Sequence, residues 1–148
     1  IQNHAEAQAI VDTIAKLAED PAYDGKTMGV IALQGHAQAR LIEKLLVKSI
    51  EPSRFQRLRL RCGEASTFQG DERHVMFLSL VTAPNVNRTS LTDARYERSY
   101  NVAMSRARDQ VWLFHSVPLQ DFGHNDLRHR LLRFFETPHA AGLDAVYE

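Results

Sequence analysis

The sequence predicts an α/β fold: a mainly parallel β-sheet with helices on both faces. Three observations predict it. Short, nearly continuous apolar runs recur at residues 27–33 (TMGVIAL), 74–81 (HVMFLSLV) and 110–115 (QVWLFH). Such runs suit strands buried on both sides, as in parallel sheets. Segments with apolar residues at helical spacing stand before, between and after them. A chain of 148 residues is one ordinary domain in length and can bury a core without disulfide or metal staples.

Each element follows from its own pattern. In residues 4–17, Ala7, Ile10, Val11, Ile14 and Leu17 mark one face of a helix, and Ala18 extends it. Residues 19–26 (EDPAYDGK) carry Pro21 and Gly25 and read as a turn before the first strand. Residues 38–47 (QARLIEKLLV) return to helical spacing, which Pro52 closes. Residues 55–61 (FQRLRLR) alternate and predict a strand. Residues 62–73 are polar without periodicity and predict a loop ahead of HVMFLSLV. Asn, Pro and Ser predict a second loop over 82–91, and residues 93–108 are expected to be helical over most of their length. Residues 126–136 (DLRHRLLRFFE) form a last amphipathic helix, stopped near Pro138. The predicted order is α-β-α-β-β-α-β-α. Open α/β sheets place sites at the carboxyl ends of strands. The stretches 67–73 and 93–108 are the two whose composition suits such a site.

Composition narrows the function classes. The 18 basic and 18 acidic side chains cancel, so nucleic-acid contact requires a local patch and not a global field. The single cysteine, Cys62, forbids an internal disulfide and fits a reducing cytoplasm. No run approaches the roughly 20 apolar residues of a membrane span, and no signal-peptide pattern opens the chain. Gly25-Lys26-Thr27 imitates the end of a phosphate-binding loop, but Asp20 stands where that loop needs glycine. The tripeptide also follows a helix and precedes a strand, the reverse of the order that points backbone N–H groups at phosphates. No apolar strand ends in paired acids for Mg²⁺. Neither a zinc spacing nor a legible nucleophile–base pair is present, and no metal site is expected. The start at Ile1, with these motifs missing, leads us to expect a piece of a longer protein.

Two segments carry site-like chemistry. In ASTFQGDER, Gly70 permits close backbone approach or a positive φ, and Thr67, Gln69 and Glu72 supply hydrogen-bonding groups. A solvated loop explains the same composition. In RSYNVAMSRAR, a helix turns Val102, Ala103 and Met104 toward the core. Asn101, Ser105 and Arg108 then share a polar face, and Arg98 and Arg106 supply planar guanidinium forks suited to phosphate. A solvated basic helix paired with Asp93 and Glu97 explains that composition equally.

At these segments the chain resembles superfamily 1 helicases, in the group that includes the RNA-surveillance and Okazaki-processing helicases. STFQGDER resembles motif V (DSFQGxE), and RSYNVAMSRAR resembles motif VI (RRxNVAxTRAR), in the right order and about 30 residues apart. Residues 3–7 (NHAEA) resemble the family's N-x-x-E-A helix start, and residues 29–38 (GVIALQGHAQ) resemble motif IV. The details are most similar to a bacterial subgroup whose members often end in a short nuclease-like domain.

The resemblance implies that residues 1–148 are the second, C-terminal RecA-like motor domain, a three-layer P-loop NTPase-type fold without its own P-loop. ATP and Mg²⁺ would be bound mainly by an N-terminal RecA-like domain of the same protein, with single-stranded DNA or RNA as the track. Arg106 matches the arginine finger. Gly70 and Glu72 match nucleotide-lining positions. Thr67 and Gln69 match positions joining nucleic acid to the ATP site, and Arg98, Asn101 and Ser105 belong to the coupling helix. The chain departs from the pattern at Ser66, Asp71 and Ser99, and motif IV lacks its usual Pro-Tyr pair. Two other readings compete: a non-catalytic RecA-like scaffold for nucleic acid or protein, and a small-molecule enzyme with a site near Gly70. The chain alone is expected to hydrolyse no ATP.

Overall fold

The computed structural model describes residues 2–81, 94–136 and 144–147. A first helix, α1 (His4–Ala18), leads through a turn to β1 (Met28–Ala32). Helices α2 (His36–Ser49) and α3 (Pro52–Arg57) precede the short β2 (Arg61–Gly63). A 3-10 turn (Ala65–Phe68) leads to β3 (Arg73–Ser79). Then follow α4 (Ala94–Ser105), β4 (Ala107–Phe114), α5 (Leu127–Glu136) and β5 (Asp144–Tyr147). The strands form a five-stranded sheet in the order β2-β1-β3-β4-β5, and every pairing is parallel.

The strand pattern explains the layers. Side chains alternate across a strand, so a run apolar at every position must be covered on both sides. Met28, Val30, Val75 and Phe77 pack with Ile10, Ile14, Ile42 and Leu46 on the side of α1 and α2. Ile31, Met76, Leu78 and Leu113 pack with Phe68, Tyr100, Ala103 and Leu131 on the side of α4 and α5. The result is helix, sheet, helix: the expected α/β, RecA-like arrangement. Each fully buried Leu, Ile or Phe contributes about 1.5–3 kcal/mol, whereas a half-exposed pair such as Lys26–Asp109 contributes about 0–1 kcal/mol. Apolar burial therefore decides the fold.

The segment 55–61 corrects the expectation of a strand. Pro52 occupies the first turn of α3 instead of merely closing α2, because its fixed φ favours a helix start. Phe55 and Leu58, three apart, both turn inward, and Arg59 at φ 52° ends the turn. The strand begins only at Arg61. The predicted loop over 62–73 therefore contains the end of β2 and the 3-10 turn. Strand β5 lies beyond the predicted order, and β4 begins earlier than the apolar run suggested.

The chain crosses from β2 to β3 over β1 without a full helix. Residues 64–72 pass across the α4 side of the sheet, where Phe68 lies fully buried. Gly29 in β1 makes room for it. A Cβ there would stand 2.9 Å from both Phe68 Cε1 and Met76 Sδ.

Candidate functional site

The two site-like segments meet at the amino ends of β3 and β4. Arg73 opens β3 and pairs in register with Ala107, which opens β4. The Arg73 backbone N–H donates to the Arg106 carbonyl at 3.0 Å. Gly70, Glu72 and Arg106 are thereby brought to one edge of the sheet. This corrects the expectation that both stretches lie at the carboxyl ends. Residues 64–72 start at the carboxyl end of β2 and run back along the sheet, so their last residues reach the opposite edge.

The geometry of the first segment is built from local bonds. Glu64 and Thr67 cap each other's ends of the 3-10 turn, with the Glu64 N–H donating to Thr67 Oγ1 at 3.2 Å. Gln69 is exposed. Gly70 has φ 76°, a left-handed conformation that glycine adopts at little cost, and nothing lies within 4 Å of where its Cβ would be. Asp71 bridges two guanidinium groups: Arg61 Nη1 at 2.9 Å and Arg73 Nη1 at 2.7 Å. Burial pushes the Asp71 carboxyl up, but the hydrogen bonds and charges of Arg61 and Arg73 together hold it below 3.8. Arg73 is buried and also donates to the Arg59 and Glu72 carbonyls. Both guanidinium groups lie near the Phe68 ring, at 5.6 and 5.8 Å from its centroid. The departure at Asp71 thus has a structural role: it is the anion of an Arg-Asp-Arg brace. Glu72 is left exposed beside it.

The second segment sits on α4. Tyr100 and Ala103 are buried, and Val102 and Met104 are half-buried against the same core. Arg98, Asn101 and Ser105 are exposed. The Ser105 hydroxyl donates to the Val102 carbonyl at 2.8 Å. Arg106 follows the last helical residue, half-buried, with Nε 3.4 Å from the Val102 carbonyl. Arg108 lies in β4 and so does not share the helix face of Asn101 and Ser105. Asn101 lines a groove of about 270 Å³ between α4 and α5, with Glu97, Tyr100, Met104 and Arg130 among its walls. Asp93, expected to pair with the basic helix, and the loop predicted over 82–91 lie outside the described residues.

A second polar centre lies at the carboxyl ends of the strands: it joins Asn3 and Glu6 of the NHAEA segment and Gln38 of the motif IV-like segment to Ser79, Val81 and Ser116, partners that the sequence does not show. Glu6 is 4 % exposed. Its Oε1 accepts from the Ser79 hydroxyl at 2.6 Å and the Val81 N–H at 2.9 Å, and its Oε2 accepts from the Ser116 hydroxyl at 2.9 Å. Burial raises the Glu6 carboxyl above 4.5, against the downward pull of these donors and of His115. Asn3 caps α1 and donates to the Val81 carbonyl and Ser116 Oγ. Gln38 of α2 exchanges hydrogen bonds with the Asn3 backbone. The sequence held a signal: Glu6, Ile10 and Ile14 lie four apart, so the acid falls on the buried stripe of α1.

The residues at the amino-end edge suit contact with a phosphate, through the Arg106 fork and the open backbone at Gly70. Among the described residues, no group of three His, Cys, Asp or Glu side chains could hold a metal ion. None of the described helices is long and apolar enough to cross a membrane.

The all-parallel α/β fold is that of the P-loop NTPase-like class. The chain belongs to the AAA domain family, whose model matches residues 1–117, and which is found in C-terminal regions of superfamily 1 helicases. No curated protein matches it.

Proposed function

We propose that the chain is the C-terminal motor domain of an ATP-dependent superfamily 1 helicase of the cytoplasm, moving on single-stranded DNA or RNA. The observation that carries this reading is the pairing of Arg73 with Arg106. It joins the ends of two motif-like segments at one edge, where Gly70, Glu72 and Arg106 can face a second domain. Family membership supports a helicase-like motor domain.

In this reading ATP with Mg²⁺ is held mainly by an N-terminal RecA-like domain of the same protein. When bound, it supplies the γ-phosphate whose transfer to water drives the cycle. Phosphoryl transfer is catalysed mainly by positioning and charge stabilisation. Arg106 is always charged, and its planar fork matches phosphate oxygens, so it stabilises the charge that builds there. Glu72 and the backbone at Gly70 line the same side of the closed cleft. The Arg-Asp-Arg brace fixes the strand start from which they project. Thr67 and Gln69 lie earlier on that crossover, and Arg98, Asn101 and Ser105 lie on the helix that ends at Arg106. Both elements can carry strand contact to the nucleotide edge. Contacts to the sugar–phosphate backbone make such a motor largely indifferent to sequence.

The test is single-strand-stimulated ATP hydrolysis by the full-length protein, wild type against Arg106→Ala. The reading expects stimulation in wild type and a loss of at least about 10²-fold in the variant, with nucleotide binding retained. An equally active variant removes Arg106 from the finger role. A wild type without strand-dependent turnover favours the scaffold reading.

A further inference from the structure

The buried network around Glu6 ties together three chain segments that leave the sheet at one end. Val81 lies just beyond the carboxyl end of β3, and Ser116 just beyond that of β4. Gln38 stands in the first turn of α2, which follows β1. Glu6 holds Ser79 and Val81 through one oxygen and Ser116 through the other. Asn3 adds bonds to Val81 and Ser116, and Gln38 reaches Ser79 Oγ at 3.3 Å. Val81 has φ 76°, a conformation that a β-branched residue adopts only when its surroundings enforce it. Its N–H and its carbonyl are both held, by Glu6 and Asn3 respectively. Glu6 accepts from donors at the exits of both β3 and β4 and holds the left-handed Val81 in place.

The position matters because β1 and β3 flank the point where the strand order reverses. From β1 the chain goes outward to β2, then crosses back to β3, β4 and β5. Open α/β sheets bind ligands in the crevice at the carboxyl ends of such a pair. The amino ends of β3 and β4 carry Arg73 and Arg106, so the same two strands join the proposed nucleotide edge to the Glu6 network.

We propose that Glu6 is a positioning residue: it fixes the exits of β3 and β4, and strand-coupled turnover depends on that geometry. The proposal rests on the helicase reading for its functional half. Glu6→Gln preserves shape but places a donor where Glu6 accepts from Ser116 or from Ser79 and Val81. Ser116→Ala removes one donor to Glu6 and one acceptor of Asn3, and leaves the fold's larger contacts in place.

The experiment uses the full-length protein with a dT oligonucleotide, and reads ATP hydrolysis together with amide hydrogen exchange. Glu6→Gln is expected to raise the half-saturating oligonucleotide concentration at least about tenfold while maximal turnover changes less, since a small misplacement has large kinetic effects even when it starts far from the chemistry. Ser116→Ala should lie between. Exchange should quicken at Val81 and Ser116 but not at Phe77 or Trp112 in the middle of the sheet. Unchanged half-saturation in both variants overturns the proposal. So does uniform loss of exchange protection with a parallel fall in maximal turnover, which marks a merely structural acid. If wild type shows no strand-stimulated turnover, the helicase reading fails separately. The exchange pattern then decides alone: local quickening keeps Glu6 as the residue that positions these exits, and uniform or absent quickening removes it.

Discussion

Arg73 donates its backbone N–H to the carbonyl of Arg106 at 3.0 Å, while its buried side chain grips Asp71. One residue thus fixes both the end of the β2–β3 crossover and the end of α4. Disturbing the brace should move both. Asp71→Asn leaves Arg61 and Arg73 with a neutral partner and weakens two charge-assisted bonds. Strand-stimulated turnover should fall about tenfold through misplacement near Arg106, with the fold retained. Turnover equal to wild type would separate the brace from the reaction.

Gly70 offers a cleaner separation of stability from activity. At φ 76°, alanine costs about 1–2 kcal/mol of stability, with no clash around the new Cβ. If the backbone there meets a nucleotide, Gly70→Ala should lower turnover by more than the lost stability accounts for. Chemical denaturation and steady-state kinetics on the same preparation read both. A stable but fully active variant would assign Gly70 to the turn alone.

Gly29 should behave in the opposite way. A Cβ on Gly29 runs into Phe68 and Met76, both fully buried, so Gly29→Ala should destabilise by about 1–3 kcal/mol. Urea denaturation measures this. A silent substitution would mean that Phe68 shifts freely, contrary to its packing.

The pH dependence of stability carries two opposing contributions. Asp71 titrates below 3.8 in the fold, so its contribution is present above that value and lost as pH falls through its lowered value. Glu6 titrates above 4.5, so its ionised form costs stability above the raised value, and the cost is relieved as pH falls toward 4.5. His115 nearby moderates that rise. Stability should therefore fall less steeply below pH 3.8 in Asp71→Asn than in wild type, whereas Glu6→Gln should flatten the profile above pH 4.5. Parallel profiles for wild type and both variants would contradict the two assignments.

The sheet and its helices were legible because runs such as HVMFLSLV can only be buried on both faces. The strand predicted at 55–61 failed because Arg and Gln alternate with apolar residues there, while Phe55 and Leu58 are also spaced as on a helix. Pro52 follows a helical segment and so suggests its ending, but its missing N–H and fixed φ make it a good beginning. Motif resemblance points to Gly70, Glu72 and Arg106 one by one, and the fold brings them to one edge. Their placement at the amino ends was not legible, because the crossover has no helix to show its direction. The NHAEA pattern marks Glu6 as part of a helix start, but its partners lie 73 to 110 residues away, so its burial among donors is not legible in the sequence.

The crossover over β1 has a consequence for how the two ends of the sheet communicate. Its nine residues, 64–72, begin beside His36 at the carboxyl end of β1 and finish at the Arg-Asp-Arg brace. Phe68 is locked at its midpoint against Gly29. A segment this short, clamped in the middle, has little slack to absorb a displacement at either end. Phe68 is thus the fixed point of the crossover, and a displacement at Thr67 is expected to reach Gly70 by pivoting there.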